Sequence, residues 1–223
     1  MCAKKRVALY GGTFDPVHLG HLEVARRVLE LFEIEKVLFV PAQIAPHKLG
    51  SDVTLPLHRY AMLVLATQDD PGLAVSSFEI EAPDRRYTVD TLAHFVSEMG
   101  TTSELFFIMG ADSWSEITTW REWQRLLTMV NHIVVTRPGY EVDGQTIMKD
   151  RIVDLRSNKS PAGLEDRQGT KIFLTDVVMK DVSATRIRQL AAQERFEELT
   201  GLVSMPVVQY IKKYAIYRET NED

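Results

Sequence analysis

His18 and His21 stand three residues apart behind Gly11, Gly12, Thr13, Phe14, Asp15 and Pro16, in the stretch GGTFDPVHLGH at positions 11–21. The apolar run Val7-Ala8-Leu9-Tyr10 precedes it and Leu22-Glu23-Val24-Ala25 follows, so it reads as a strand-to-helix junction. Gly11 and Gly12 lack a Cβ, which lets the backbone turn off the strand and approach a ligand. Asp15 suits an N-cap and Pro16 the first helical position, which predicts a helix start there. The free N–H groups and positive dipole end of such a helix favour a phosphate. Two imidazoles on one helix face can donate to one phosphate chain, and Gly20 between them leaves room for a flat group. For either histidine alone, satisfying a backbone carbonyl is the competing reading. A metal site is weaker, because the only nearby third ligand is Asp15, which capping already explains.

Such a junction needs elements to hold it. Short β-branched and aromatic runs at 6–10, 36–40, 73–80, 104–109, 131–136 and 171–174 read as strands. Segments 19–32, 56–67, 88–98 and 122–129 repeat apolar residues at helical spacing. Strands alternating with crossover helices predict an α/β fold, a Rossmann-like doubly wound parallel sheet. Ligands of such sheets lie beyond the carboxyl ends of the strands, where strand order reverses. The 223 residues suit one sizeable domain, 1–223, with an irregular excursion over about 139–169 and C-terminal helices over about 183–217.

Composition narrows the function classes. Lys and Arg total 26 against 31 Asp and Glu, a net charge of −5, which argues against broad affinity for nucleic acid or anionic membrane. A single cysteine, Cys2, excludes an internal disulfide and a cysteine-based zinc cage. No apolar run approaches the ~18 residues of a membrane span, and the basic start lacks a signal-peptide core, so a cytoplasmic location is expected.

A second pattern, Ser183-Ala184-Thr185-Arg186-Ile187-Arg188, lies near the C-terminus. Ser183 is placed to cap a helix whose N-terminus offers another anion site, and Arg188 supplies a planar cationic fork. An ordinary capped helix with solvated arginines is the competing reading.

Together the two patterns resemble the signatures of the H-x-G-H nucleotidyltransferase superfamily, in the form found in the bacterial nicotinate-nucleotide adenylyltransferase family. The second signature is S-[ST]-T-x-x-R, and Ala184 stands where that family has a second hydroxyl. PAQIAPHK (41–48) resembles its P-x-x-x-P-H-K loop, which implies His47 and Lys48 at the ATP phosphates. RRYTVDTL (85–92) resembles S-Y-T-x-D-T, with Arg86 in place of Ser, and implies Thr88 on the nicotinate side. IMGADSWSEITTWREW resembles G-x-D followed by W-x-x-W. It implies Asp112 near a ribose or phosphates and Trp120 stacked on the pyridine. VVTRPGY carries Arg137 onto R-P-G-Y.

Each of these has a plainer role: Trp120 and Trp123 as core anchors, Asp112 and Thr88 as helix caps, His47 and Lys48 as a solvated pair. His58, His94 and His132 read as structural or surface residues.

The resemblance implies adenylyl transfer from ATP to nicotinate mononucleotide, with His18 and His21 catalytic and Mg²⁺ carried on the ATP phosphates. ATP contacts would come from Gly11, Gly12, Thr13, Phe14, Gly20, His47, Lys48, Ser183, Thr185 and Arg188. An acid substrate favours donors without a nearby acid, for which Thr88, the Trp120–Arg121 backbone, Arg86 or the Arg121 side chain are candidates. An enzyme preferring nicotinamide mononucleotide and a non-catalytic nucleotide-binding regulator remain as alternatives, and the oligomeric state stays open.

Overall fold

The computed structural model describes residues 4–43, 53–82, 87–136, 147–156, 169–176 and 182–218. Its seven strands are β1 Lys5–Gly12, β2 Lys36–Pro41, β3 Leu73–Val75, β4 Ser103–Gly110, β5 Asn131–Val135, β6 Ile152–Asp154 and β7 Ile172–Thr175. All pairings are parallel, in the order β3-β2-β1-β4-β5-β7-β6. The helices are α1 Leu19–Leu31, α2 Pro56–Thr67, α3 Thr88–Met99, α4 Ala111–Ser115, α5 Trp123–Met129, α6 Ala184–Ala192 and α7 Met205–Lys213. The chain runs outward from β1 through β2 to β3, then returns to β4 on the other side of β1. The switch in strand order therefore lies between β1 and β4.

Strand pleating splits the core in two. Ala8, Phe39, Phe106, Ile108 and Ile133 pack with Leu22, Ala25 and Val28 of α1, Met62 and Leu63 of α2, Ile187 of α6 and Val207 of α7. Their sequence neighbours Leu9, Val40, Leu105, Phe107, Met109 and Val134 pack with Val89 and Leu92 of α3, Trp114 of α4 and Leu126 of α5. One sheet face thus carries α1, α2, α6 and α7, and the other carries α3, α4 and α5.

The structure departs from expectation in three elements. The strand predicted over 73–80 stops at Val75, because Ser76 Oγ accepts the Phe78 N–H and the chain turns, with Glu81 N–H bonded to Ser77 O. The excursion 139–169 is not wholly irregular, since it contributes the edge strand β6 beside β7. The first helix starts at Leu19 with His18 as N-cap, not at Asp15.

Candidate active site

The motif turn is organised differently from the local prediction. Gly11 and Gly12 are still within β1, and neither has a left-handed backbone. What they provide is room, since a Cβ on Gly11 would meet the Phe107 ring at 3.1 Å and one on Gly12 the Phe14 ring at 2.9 Å. The left-handed residue of the turn is Phe14, at φ 50. Its ring is 3% exposed and packs edge-on against Tyr10, Phe39 and His21. Phe14 is therefore a core anchor, and only its backbone is left for a ligand.

His18 and His21 cap α1 reciprocally. His21 N–H donates to His18 Nδ1 at 3.4 Å, His18 N–H donates to His21 Nδ1 at 3.2 Å, and the rings stack at 3.6 Å. Both Nδ1 atoms are acceptors, so each neutral ring carries its proton on Nε2. Burial holds the His18 pKa down to about 4, and burial followed by the neighbouring His18 holds His21 well below its ordinary value. Near neutral pH the pair is two uncharged Nε2–H donors. The backbone of α1 is largely spoken for, because Leu19 N–H bonds Leu202 O and Leu22 N–H bonds His18 O. An anion reaching this turn would meet the imidazole Nε2–H groups rather than the N–H groups of Leu19, His21 and Leu22, which are already bonded. Gly20 is buried inside the first turn and does not line the cavity described below.

The second pattern arrives beside the first. Ser183 is the N-cap residue of α6, but its hydroxyl makes no capping bond. Ser183 and Thr185 are exposed. Arg188 Nη1 donates to Asp15 O at 2.8 Å and Nη2 to Thr185 Oγ1 at 3.3 Å, which brings the two motif segments into direct contact. Asp15, expected as a helix cap, is instead buried and accepts from Thr54 N–H and the Tyr217 hydroxyl.

Sequence reasoning missed Arg59. Fully buried on α2, it donates to the carbonyls of Thr13 (2.7 Å), Ala42 (2.6 Å), Thr54 (2.9 Å) and Gln43 (3.1 Å). Burial lowers its pKa, and the nearby charge of Asp15 is the largest opposing influence. The guanidinium ties the motif turn to the segment after β2 and to the approach to α2. The only sequence signal was a cation set among apolar positions of a helix.

On the opposite sheet face a cavity of 270 Å³ opens at the carboxyl ends of β1 and β4. Gly11, Gly12 and Thr13 form one side, and Thr88, Trp120 and Arg121 another, so predicted residues from both halves of the reaction meet there. Trp120 is half-buried, with an Nε1 that has no partner among the described residues. Arg121 is exposed, its guanidinium 4.8 Å above the Tyr87 ring. Thr88 is the first residue of α3 rather than its cap; the Asp90 carboxylate accepts the Tyr87 N–H instead. The Trp120 backbone N–H bonds Ile117 O, which withdraws it from the expected set of donors. The wall is not free of acid either, since Glu79 lines it and accepts from the Thr91 hydroxyl at 2.6 Å.

Asp112 is exposed in the first turn of α4, whose N-cap is Gly110, and it is not on the cavity wall; Ser113 is. His47, Lys48, Arg86 and Arg137 lie outside the described residues. Among the described residues no group of three or more His, Cys, Asp or Glu side chains could hold a metal ion. None of the described helices is long and apolar enough to cross a membrane.

A parallel sheet with phosphate-competent donors at its first β–α junction and a cavity at its switch point defines a nucleotide-binding α/β protein. The chain belongs to the cytidylyltransferase-like family, whose model matches residues 9–190. It is 38% identical over 218 residues to a probable nicotinate-nucleotide adenylyltransferase of Thermoanaerobacter sp. (strain X514), covering 98% of this chain and 97% of that one. A protein of the same description from Symbiobacterium thermophilum is 37% identical, with 95% of each chain covered. Among solved structures, Plasmodium falciparum nicotinic acid mononucleotide adenylyltransferase complexed with NaAD superposes with a TM-score of 0.72. That match covers 96% of this chain and 97% of the other at 20% identity, a likeness of fold.

Proposed function

We propose that this chain, acting as one domain in the cytoplasm, transfers the adenylyl group of ATP to nicotinate mononucleotide. The nucleotide 5′-phosphate attacks the α-phosphorus of ATP, a new P–O bond forms, and the bond to the β-phosphate oxygen breaks to release pyrophosphate. A phosphate monoester has a second pKa of about 6, so the nucleophile needs no general base near neutral pH. The barrier then depends on alignment and on stabilising charge on the α-phosphate and leaving group.

The observation that carries this reading is the direct bond from Arg188 to Asp15, which joins the two motif segments, while Gly11, Gly12 and Thr13 of the first motif also line the cavity that has Trp120 and Thr88 on its wall. The Nε2–H groups of His18 and His21 serve as uncharged donors to the phosphates, with Arg188 as the adjacent cation and Ser183 and Thr185 as exposed hydroxyls. His47, Lys48 and Arg137 are further candidates for phosphate and nucleotide contacts. Trp120 offers a ring to the pyridine, and the start of α3 at Thr88 offers N–H donors to the carboxylate. Mg²⁺ carried on the ATP phosphates would offset their charge.

Glu79 favours a second reading, since an acceptor on the cavity wall also suits the N–H₂ of nicotinamide mononucleotide. Pyrophosphate release with ATP and each mononucleotide separates them. The acid form should be at least about tenfold more efficient, a gap of about 1.4 kcal/mol. Equal use of both, or preference for the amide, contradicts the nicotinate assignment.

A further inference from the structure

Asp15 is 4% exposed within the motif turn, a position where a carboxylate needs donors on its oxygens. Tyr217 supplies one from the far end of the chain: its hydroxyl donates to Asp15 Oδ1 at 2.8 Å. Thr54 N–H donates to Oδ2 at 3.2 Å, and Arg188 to the Asp15 carbonyl at 2.8 Å. Thr54 O and Thr13 O in turn both accept from Arg59, so Asp15, Thr54, Arg59 and Thr13 form a closed network around the turn. Tyr217 lies beyond the residues matched by the family model and in neither sequence motif. Its backbone is left-handed at φ 73, as is that of Ala215 at φ 52. Non-glycine residues persist in that region where their surroundings hold them. Burial and the Asp15 charge push the Tyr217 pKa up, so the hydroxyl remains a donor across the working pH range.

We propose that Tyr217 is a positioning residue of the ATP side: by holding the Asp15 carboxylate it sets the turn that carries His18 and the carbonyl that receives Arg188. The proposal rests on the adenylyl-transfer reading for the identity of the nucleotide, but its first readout is binding rather than turnover. A structural role alone would change stability and affect both substrates alike; a positioning role moves one substrate.

The test is calorimetric titration with a non-hydrolysable ATP analogue, together with KM for each substrate. Tyr217→Phe removes the hydroxyl and keeps the ring. It should weaken the analogue about fivefold or more while leaving the mononucleotide KM within about twofold. Asp15→Asn should weaken the analogue as well, and the double variant should be no worse than the weaker-binding single, as expected for one shared bond. A folded Tyr217→Phe protein with wild-type analogue affinity, or with equal losses for both substrates, overturns the proposal. If Tyr217→Phe does not fold, Asp15→Asn decides, and wild-type analogue affinity there overturns it. Failure of the wild-type chain to release pyrophosphate, with the analogue effect intact, would remove the transfer reading and leave the tether standing.

Discussion

The two sides of the switch point are built on different principles. On the α1/α6 face the polar groups are already engaged with one another: His18 with His21, Arg188 with Asp15 and Thr185, Arg59 with four carbonyls. On the α3/α5 face there is space, bounded by aromatic and hydroxyl side chains, and an indole N–H without a partner among the described residues. The first arrangement fixes donors before a ligand arrives, as stabilisation of developing phosphate charge requires. The second leaves room and a ring face for a flat heterocycle. Substitutions on the two sides should accordingly fail in different ways.

The largest effect is expected at Arg59. Arg59→Leu removes a fully buried guanidinium and strands the four part-buried carbonyls that now share it, and should cost about 3 kcal/mol or more of stability, read by thermal or denaturant unfolding. A loss below about 1 kcal/mol would mean that the carbonyls find other donors and that the turn does not depend on α2.

Next come the histidines. His21→Ala and His18→Ala should each lower turnover on the order of 10²-fold, with a smaller change in ATP affinity. Because the two rings also cap α1, loss of His18 should cost about 1 kcal/mol of stability in addition. His18→Asn separates the roles, since Asn retains a capping acceptor without the Nε2–H donor. It should recover melting temperature but not turnover. Recovery of both would make His18 a cap and nothing more.

A pH experiment contrasts these two histidines with one buried away from the motif turn. His132 is fully buried, and burial, opposed in part by the Val130 backbone, pushes its pKa down to about 4 from 6.5. Between those values the unfolded chain binds a proton that the folded chain excludes. Stability should therefore be intact above about pH 6.5 and fall as pH drops towards 4, by on the order of 3 kcal/mol from this group. His132→Phe should flatten that slope without changing either KM, as followed by denaturant unfolding across pH. An unchanged slope would assign it to His18 and His21.

Arg188→Lys is expected to have the smallest effect on this face, raising the ATP KM or lowering turnover, because Lys keeps the charge but loses the fork that reaches both Asp15 O and Thr185 Oγ1. Wild-type kinetics in this variant would mean that Arg188 ties the two motif segments together without acting on ATP.

How much of this could be read in the chain depended on the range of the interactions. The alternation of strands and helices was local and strong, and the parallel sheet follows from it. The three residues of β6, Ile152-Val153-Asp154, are too few to show a period, and their strand state comes from pairing with β7. The misplaced start of α1 has a similar origin. Asp15 is a good cap by local rules, but Tyr217 and Thr54 engage its carboxylate from 202 and 39 residues away. Thr88 and Trp120 are expected on the substrate side from the family resemblance and Arg121 as a candidate donor there, and the fold places all three on the wall of one cavity. Glu79 and Arg59 carried no motif: the first is placed on the cavity wall beside Thr91 of α3, and the second gathers carbonyls from segments distant in sequence. Asp112 went the other way, because a motif position named it and α4 turns it to solvent.

The division between the two faces is tested most directly at Trp120, by measuring both KM values and the melting temperature of Trp120→Ala. A ring that stacks on the pyridine predicts that nicotinate mononucleotide is weakened by about 1–3 kcal/mol while ATP is scarcely affected and the melting temperature stays close to wild type. A large fall in melting temperature, corresponding to about 3–5 kcal/mol for a buried Trp, with losses spread over both substrates, would contradict it and make Trp120 part of the core.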